Sequence, residues 1–172
     1  MTRRRWTGRR ALLGPVALGA LTLGLLASPV AGAPNPALPN RALTPGATNR
    51  AVTPATIRTT ICVVGYTARI RPPESYTERL KFRQLDGGYN VGGDTRAADY
   101  EEDHLIALEV GGSPTAVANL WPEPRFGVWN AARKDRLEDA LHRLVCAGRV
   151  GLRTAQRALA TNWVAAYRRY VG

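Results

Sequence analysis

The sequence predicts a small α+β fold, and three observations carry that prediction. Two stretches, near residues 59–64 and 103–110, have strand character. Two long stretches, 129–146 and 153–170, carry apolar residues at helical spacing. Glycine and proline turns separate them. On this reading the fold occupies residues 57–172 of the 172, as one α+β domain with an N-terminal strand and a C-terminal helix, large enough for one core.

Residues 1–33 have the pattern of a secretory signal peptide. Arg3, Arg4, Arg5, Arg9 and Arg10 precede an apolar run from Ala11 to Ala27, and small residues follow at Val30-Ala31-Gly32-Ala33. Gly14, Pro15, Gly19 and Gly24 interrupt that run, which is too short and broken for a spanning helix. Arg9-Arg10 followed by Ala-Leu-Leu also matches a twin-arginine signal, so Sec and twin-arginine export both stay open. The expectation is a secreted protein with no stable membrane association once the signal is cleaved.

Residues 34–56 hold five of the twelve prolines, and Asn40-Arg-Ala-Leu-Thr-Pro nearly repeats as Asn49-Arg-Ala-Val-Thr-Pro. Pro, Ala, Thr and Asn bury too little apolar surface to offset the entropy of ordering, which predicts a disordered linker.

Within the domain, Thr59-Thr-Ile-Cys-Val-Val64 is rich in β-branched residues and reads as a strand ending at Gly65. Ser75-Tyr-Thr-Glu78 is a capping-box pattern that opens a helix through about Leu85. Asp86 to Asp94 is a glycine-rich loop. Asp103 to Val110 reads as extended chain ended by the Gly111-Gly112 turn, and Asn119-Leu-Trp121 is the return segment, stopped by Pro122 and Pro124. A helix runs from about Trp129 to Cys146, with Leu137, Leu141, Leu144 and Val145 near helical spacing. A last helix runs from about Arg153 to Tyr170, with Ala155, Leu159, Trp163, Ala166, Tyr167 and Tyr170 along a core-facing stripe.

Cys62 and Cys146 are the only cysteines, and in an exported chain a single pair predicts a disulfide. Charge is segregated. Removing the five signal arginines from 24 basic residues leaves 19 against 13 acidic ones, a net of +6. Residues 34–73 carry five arginines and no acid, residues 74–123 four basic and ten acidic residues, and residues 124–172 ten basic and three acidic. A basic carboxy-terminal part suits a polyanionic partner. Arginine outnumbers lysine 22 to 2, however, a bias that a GC-rich genome also produces.

Hydrolysis of a phosphodiester needs an activated water, charge neutralisation at phosphorus and stabilisation of the leaving oxygen. Asp103-His104, the Gly111-Gly112 turn, Asn119-Leu-Trp-Pro-Glu123 and Asn130-Ala-Ala-Arg-Lys-Asp135 present matching groups in a compact order. Over residues 100–146 this arrangement resembles the HNH, or ββα-metal, endonuclease superfamily. The resemblance implies a ββα-metal core with His104 as general base and Asp103 and Asn130 as metal ligands, and Asn119 as the brace of the ββ turn. Lys134 and Arg133, in the first turns of the helix that Asn130 opens, are then candidates to meet phosphate. The third histidine of the family name is absent, giving a His-Asn-Asn version, and no zinc-ribbon cysteines flank the motif. Glu109 is an alternative ligand, and His142, inside a helix, reads as a structural or surface residue. Oxygen donors such as these favour Mg²⁺ or Mn²⁺, with Ca²⁺ also compatible.

The expected function is thus a secreted, metal-dependent and monomeric endonuclease with little sequence specificity, acting on DNA before RNA. The alternative is an exported non-catalytic domain that binds nucleic acid or anionic cell-surface polymers. A phosphoesterase for smaller esters is a third reading.

Overall fold

The computed structural model describes residues 1–2 and 37–172, so the expected signal segment lies, but for its first two residues, outside the described residues. Residues 37–172 belong to one compact unit. Its elements are α1 (Tyr66–Ile70), α2 (Glu74–Asp86), β1 (Tyr100–His104), β2 (Leu120–Pro124), α3 (Ala131–Cys146) and α4 (Leu152–Tyr170), with short 3₁₀ turns between them. This is an α+β arrangement around a two-stranded antiparallel sheet. Among the described residues no helix is long and apolar enough to cross a membrane.

The strands pair in the register Tyr100↔Pro124, Glu101↔Glu123, Glu102↔Pro122, Asp103↔Trp121 and His104↔Leu120. Side chains alternate along a strand, so Tyr100, Glu102 and His104 share one face and Glu101 and Asp103 the other. The ladder stops at His104 instead of running on to Val110. Leu105, Ile106, Ala107, Leu108 and Val110 are all buried. The run folds instead into a loop with a 3₁₀ turn at Leu108–Val110, its Ile106 N–H and carbonyl taken by the Asn119 side chain and not by a neighbouring strand. Gly111, at φ 78°, leaves that turn in the left-handed region that glycine favours. At Gly112 a Cβ would fall 1.7 Å from the Ile106 carbonyl oxygen, so only glycine lets the loop close.

Asn130 caps α3, its Oδ1 accepting from the Arg133 N–H at 3.3 Å, so the helix starts two residues after the expected Trp129. The expected apolar stripes of α3 and α4 pack against each other: Leu137, Leu141 and Val145 join Leu152, Ala155, Leu159, Trp163, Ala166 and Tyr167 in one core. The amide of Asn162, where α4 kinks, accepts from the Ala165 N–H at 2.9 Å and restarts the helix. α2 starts one residue before the expected capping box. Pro73 takes the cap position, so Ser75 is already inside the first turn and caps nothing.

Two expectations are corrected. Residues 59–64 form no strand: a 3₁₀ turn at Ile57–Thr59 passes into further turns before α1. Thr59 and Thr60 both donate their hydroxyls to the Thr56 carbonyl, local bonds that compete with a ladder. Ile61 is buried, its carbonyl accepts from the His142 ring at 2.8 Å, and Cys62 is joined to Cys146 by the predicted disulfide.

The second correction concerns the expected linker, whose described part, residues 37–56, lies against the domain. Thr48 bridges Gly112, the Gly46 N–H donates to the Ala118 carbonyl and the Trp163 indole donates to the Ala37 carbonyl at 2.7 Å. Val52 is buried under Gly111, where an added Cβ would meet its side chain at 2.6 Å. The near-repeat has a structural meaning: Asn40 and Asn49 each accept, through Oδ1, from the N–H two residues on, at 3.0 Å. Both copies make the same Asx turn.

Candidate functional site

The end of β1 carries Asp103 and His104 on opposite faces of the strand. His104 is only 3 % exposed, and its Nε2 lies 2.9 Å from the Pro114 carbonyl oxygen. A carbonyl only accepts, so Nε2 holds the proton and Nδ1 keeps the lone pair. Burial pushes the His104 pKa down and opposes charging, while Asp103 pulls the other way. The ring is therefore neutral at pH 7, with one nitrogen fixed as donor and the other free to accept a proton.

Asn119, completely buried, clamps the loop between the strands. Its Oδ1 accepts from the N–H groups of Ile106 (2.9 Å) and Ala47 (3.3 Å), and its Nδ2 donates to the carbonyls of Ile106 and Ser113, both at 3.0 Å. The adjacent residue, Pro114, offers the carbonyl that fixes His104. The Ala47 bond shows that the Pro-rich strap is part of the same clamp.

Lys134 is corrected as a phosphate contact. Its ammonium is fully buried and forms close ion pairs with Asp103 and Glu138, lies 3.6 Å from Glu123, and donates to the His104 carbonyl at 2.8 Å. Such a group cannot reach a polyanion. Burial works against every charge in this cluster. Asp103 nevertheless stays ionised, because Lys134 holds its pKa down to about 2. Burial raises Glu123 well above the ordinary carboxylate range and Glu138 to about 8. Burial also disfavours the ammonium, but Asp103 foremost, with Glu138 and Glu123, holds the Lys134 pKa well above its usual value. The cluster is thus centred on the Asp103–Lys134 ion pair, while burial pushes the Glu123 and Glu138 carboxyls toward their protonated forms.

Arg133 sits over the rings of Trp129 (5.0 Å) and Tyr167 (5.9 Å), and Arg168 covers Trp129 at 5.2 Å. The Asn130 amide is engaged in capping α3 and donates to the Gly127 carbonyl at 3.1 Å. The structure therefore joins Asp103, Lys134 and the His104 backbone, with Asn119 bracing the loop, and employs Asn130 as a helix cap. Glu109 contributes no assembled site either: its Oε2 is buried without a hydrogen-bond partner.

On the opposite face of β1 a groove of about 320 Å³ is lined by His104 and Glu102 together with Lys81, Arg71 and Arg125. Burial raises the Glu102 carboxyl to about 8, with Asp103 adding to the shift, and neither of its oxygens has a hydrogen-bond partner. Lys81 is buried and bonds Glu78 at 2.8 Å and the Tyr100 carbonyl at 3.4 Å. Arg71 forms no salt bridge among the described residues, and its charge also depresses the His104 pKa. Glu138, Lys81 and Arg71 are absent from the sequence reading of the site, and Glu123 enters it only as the end of the Asn119–Glu123 stretch. The two lysines had a usable signal: they are the only ones in a chain with 22 arginines.

The residues expected to hold an ion do not fit one as they stand. Asp103 is paired with Lys134 and Asn130 with its own helix. Among the described residues no group of three or more His, Cys, Asp or Glu side chains has the geometry of a metal site. Compared with family models, curated proteins and solved structures, the chain matches none.

Proposed function

We propose that the chain is an exported, HNH-like phosphodiester hydrolase that cuts nucleic acid, DNA before RNA, with little sequence preference. The observation that carries this reading is His104: neutral, fixed by the Pro114 carbonyl through Nε2, and lining an open groove at the end of a β-strand of a ββα unit. A site of this kind suits a general base. A water bound beside phosphorus gives its proton to Nδ1 as its oxygen forms the new P–O bond. The opposite P–O bond breaks, and the departing 3′-oxygen takes a proton from solvent. Asp103 and Asn130 are already engaged, so no step is assigned to an ion. Little base readout is expected, because arginines that meet phosphate carry no sequence information.

A second reading, an exported binder of nucleic acid or anionic polymers, is favoured by one observation. Residues 140–172 hold six arginines and no acid. Arg50, Arg153 and Arg157 rim a pocket of about 450 Å³ against α4.

The test is the nicking of plasmid DNA, and cleavage of RNA, by the mature protein and its His104→Ala variant, with DNA affinity measured in parallel. Removal of a general base is expected to slow cleavage ~10²–10⁴-fold while leaving affinity nearly unchanged. Wild-type rates in the variant would remove His104 from the chemistry. A wild type that binds but never cuts would establish the binder instead.

A further inference from the structure

The resemblance that motivates the nuclease reading puts a divalent cation at Asp103, but in this chain the group beside that carboxylate is an amine. Lys134 reaches Asp103 from the second turn of α3, with Glu138 one turn further along and Glu123 contributed by β2. Its ammonium also donates to the His104 carbonyl at 2.8 Å. Lys134 and Glu123 are both completely buried, and neither Glu123 oxygen has a hydrogen-bond partner. Three carboxyl groups thus converge on one point, and a fixed cation already fills it. A compact ammonium suits that point better than a planar guanidinium with five donors. In a chain that uses arginine almost everywhere else, lysine stands here.

We infer that Lys134 is the resident cation of this site, holding Asp103 and the end of β1 in place so that no divalent ion binds there, and that Arg71 meets the substrate phosphate beside His104. Lys134 is a positioning residue, because it is sealed from solvent and touches no substrate. Arg71 lines the His104 groove, is exposed, and forms no salt bridge among the described residues. Arg125 stands on the same groove but is partly neutralised by Glu101 at 3.4 Å. The assignment to Lys134 is independent of the nuclease reading, whereas the role of Arg71 rests on it.

The two parts are tested separately. Manganese titrated into the intact protein, followed by the electron paramagnetic resonance of the free ion, is expected to show no stoichiometric binding, and Mn²⁺ or EDTA should leave its melting temperature unchanged. Lys134→Ala should melt on the order of 10 °C lower. Stoichiometric Mn²⁺ binding by wild type that disappears in Asp103→Asn overturns the inference. A Lys134→Ala protein that melts with wild type overturns it as well. Should the variant not fold, the wild-type titration with its Asp103→Asn control still decides. For the second part, Arg71→Ala is expected to slow plasmid nicking at least tenfold in the presence of EDTA. Cleavage by wild type that stops with EDTA and returns with Mg²⁺ would show an ion in that role instead. A protein that cuts nothing would refute the nuclease reading and the role of Arg71, leaving the manganese result to stand by itself.

Discussion

Asn119 shows how much one buried amide can organise. Its four hydrogen bonds tie the return strand to the loop after β1, to the chain before Pro114 and to the N-terminal strap. Asn119→Ala would strand the backbone groups of Ile106 and Ser113 away from water, at about 1–3 kcal/mol each. The expected loss is at least about 3 kcal/mol, read as a lower urea midpoint at unchanged slope. A variant within 0.5 kcal/mol of wild type, roughly the scatter of surface substitutions, would show the clamp to be dispensable. His104 makes a prediction of its own. Its pKa lies below 6.5, so cleavage should be flat through neutral pH and fall only at lower pH, as Nδ1 takes up a proton. An acid limb centred above 6.5 would point to a different base.

Elements acquire stability here from links that are distant in sequence. The Cys62–Cys146 disulfide spans 84 residues and fastens the end of α3 to the turns before α1. Closing so long a loop stabilises by about 4–5 kcal/mol on a chain-entropy account. Reduction should therefore lower the melting temperature by more than 10 °C at this domain size, and the native protein should contain no alkylatable thiol. The strap of residues 37–56 is the second such link. A chain starting at residue 57 loses Val52 from the core, the Ala37 partner of Trp163 and the Ala47 bond to Asn119. It should melt well below a chain starting at residue 37. Equal melting temperatures would return this segment to the status of a linker.

At the scale of the whole molecule, buried carboxyls set the dependence of stability on pH. Glu102 and Glu138 are raised to about 8, Asp135 to about 6, and Glu123 is also raised, in each case chiefly by burial. Folded chains keep those protons when unfolded chains have released them. Their stabilising contribution is complete below the unfolded value of 4.5 for Glu, or 3.8 for Asp, and is lost as pH rises through the folded values. Asp103 acts at the other end: its pKa of about 2 gives stability above 3.8 that disappears as pH falls. His104, depressed from 6.5, opposes the carboxyls by favouring the fold at higher pH, but it is one group against four. Thermal melts should therefore show greatest stability near about pH 4–5 and a decline toward pH 8. A melting temperature that rises over that interval would contradict the buried, protonated carboxyls.

Local pattern and composition were enough for part of the layout. The 3.6-residue stripes of α3 and α4 located those helices within two residues. Two cysteines in a chain read as exported predicted their pairing, and Asn119-Leu-Trp121 was legible as the return segment, although the first strand ends at His104 and not at Val110. Tertiary structure decided the rest. A Pro- and Thr-rich strap becomes ordered only by docking Val52 beneath Gly111, and a β-branched run stays out of a sheet when its threonines find carbonyls nearby. Lys134 reads as a surface phosphate contact until Asp103, Glu123 and Glu138, from two strands and its own helix, are seen to enclose it. The charge Lys134 keeps depends on Asp103 and Glu123, 31 and 11 residues away along the chain, as well as on Glu138 one turn on, and no local pattern encodes that convergence.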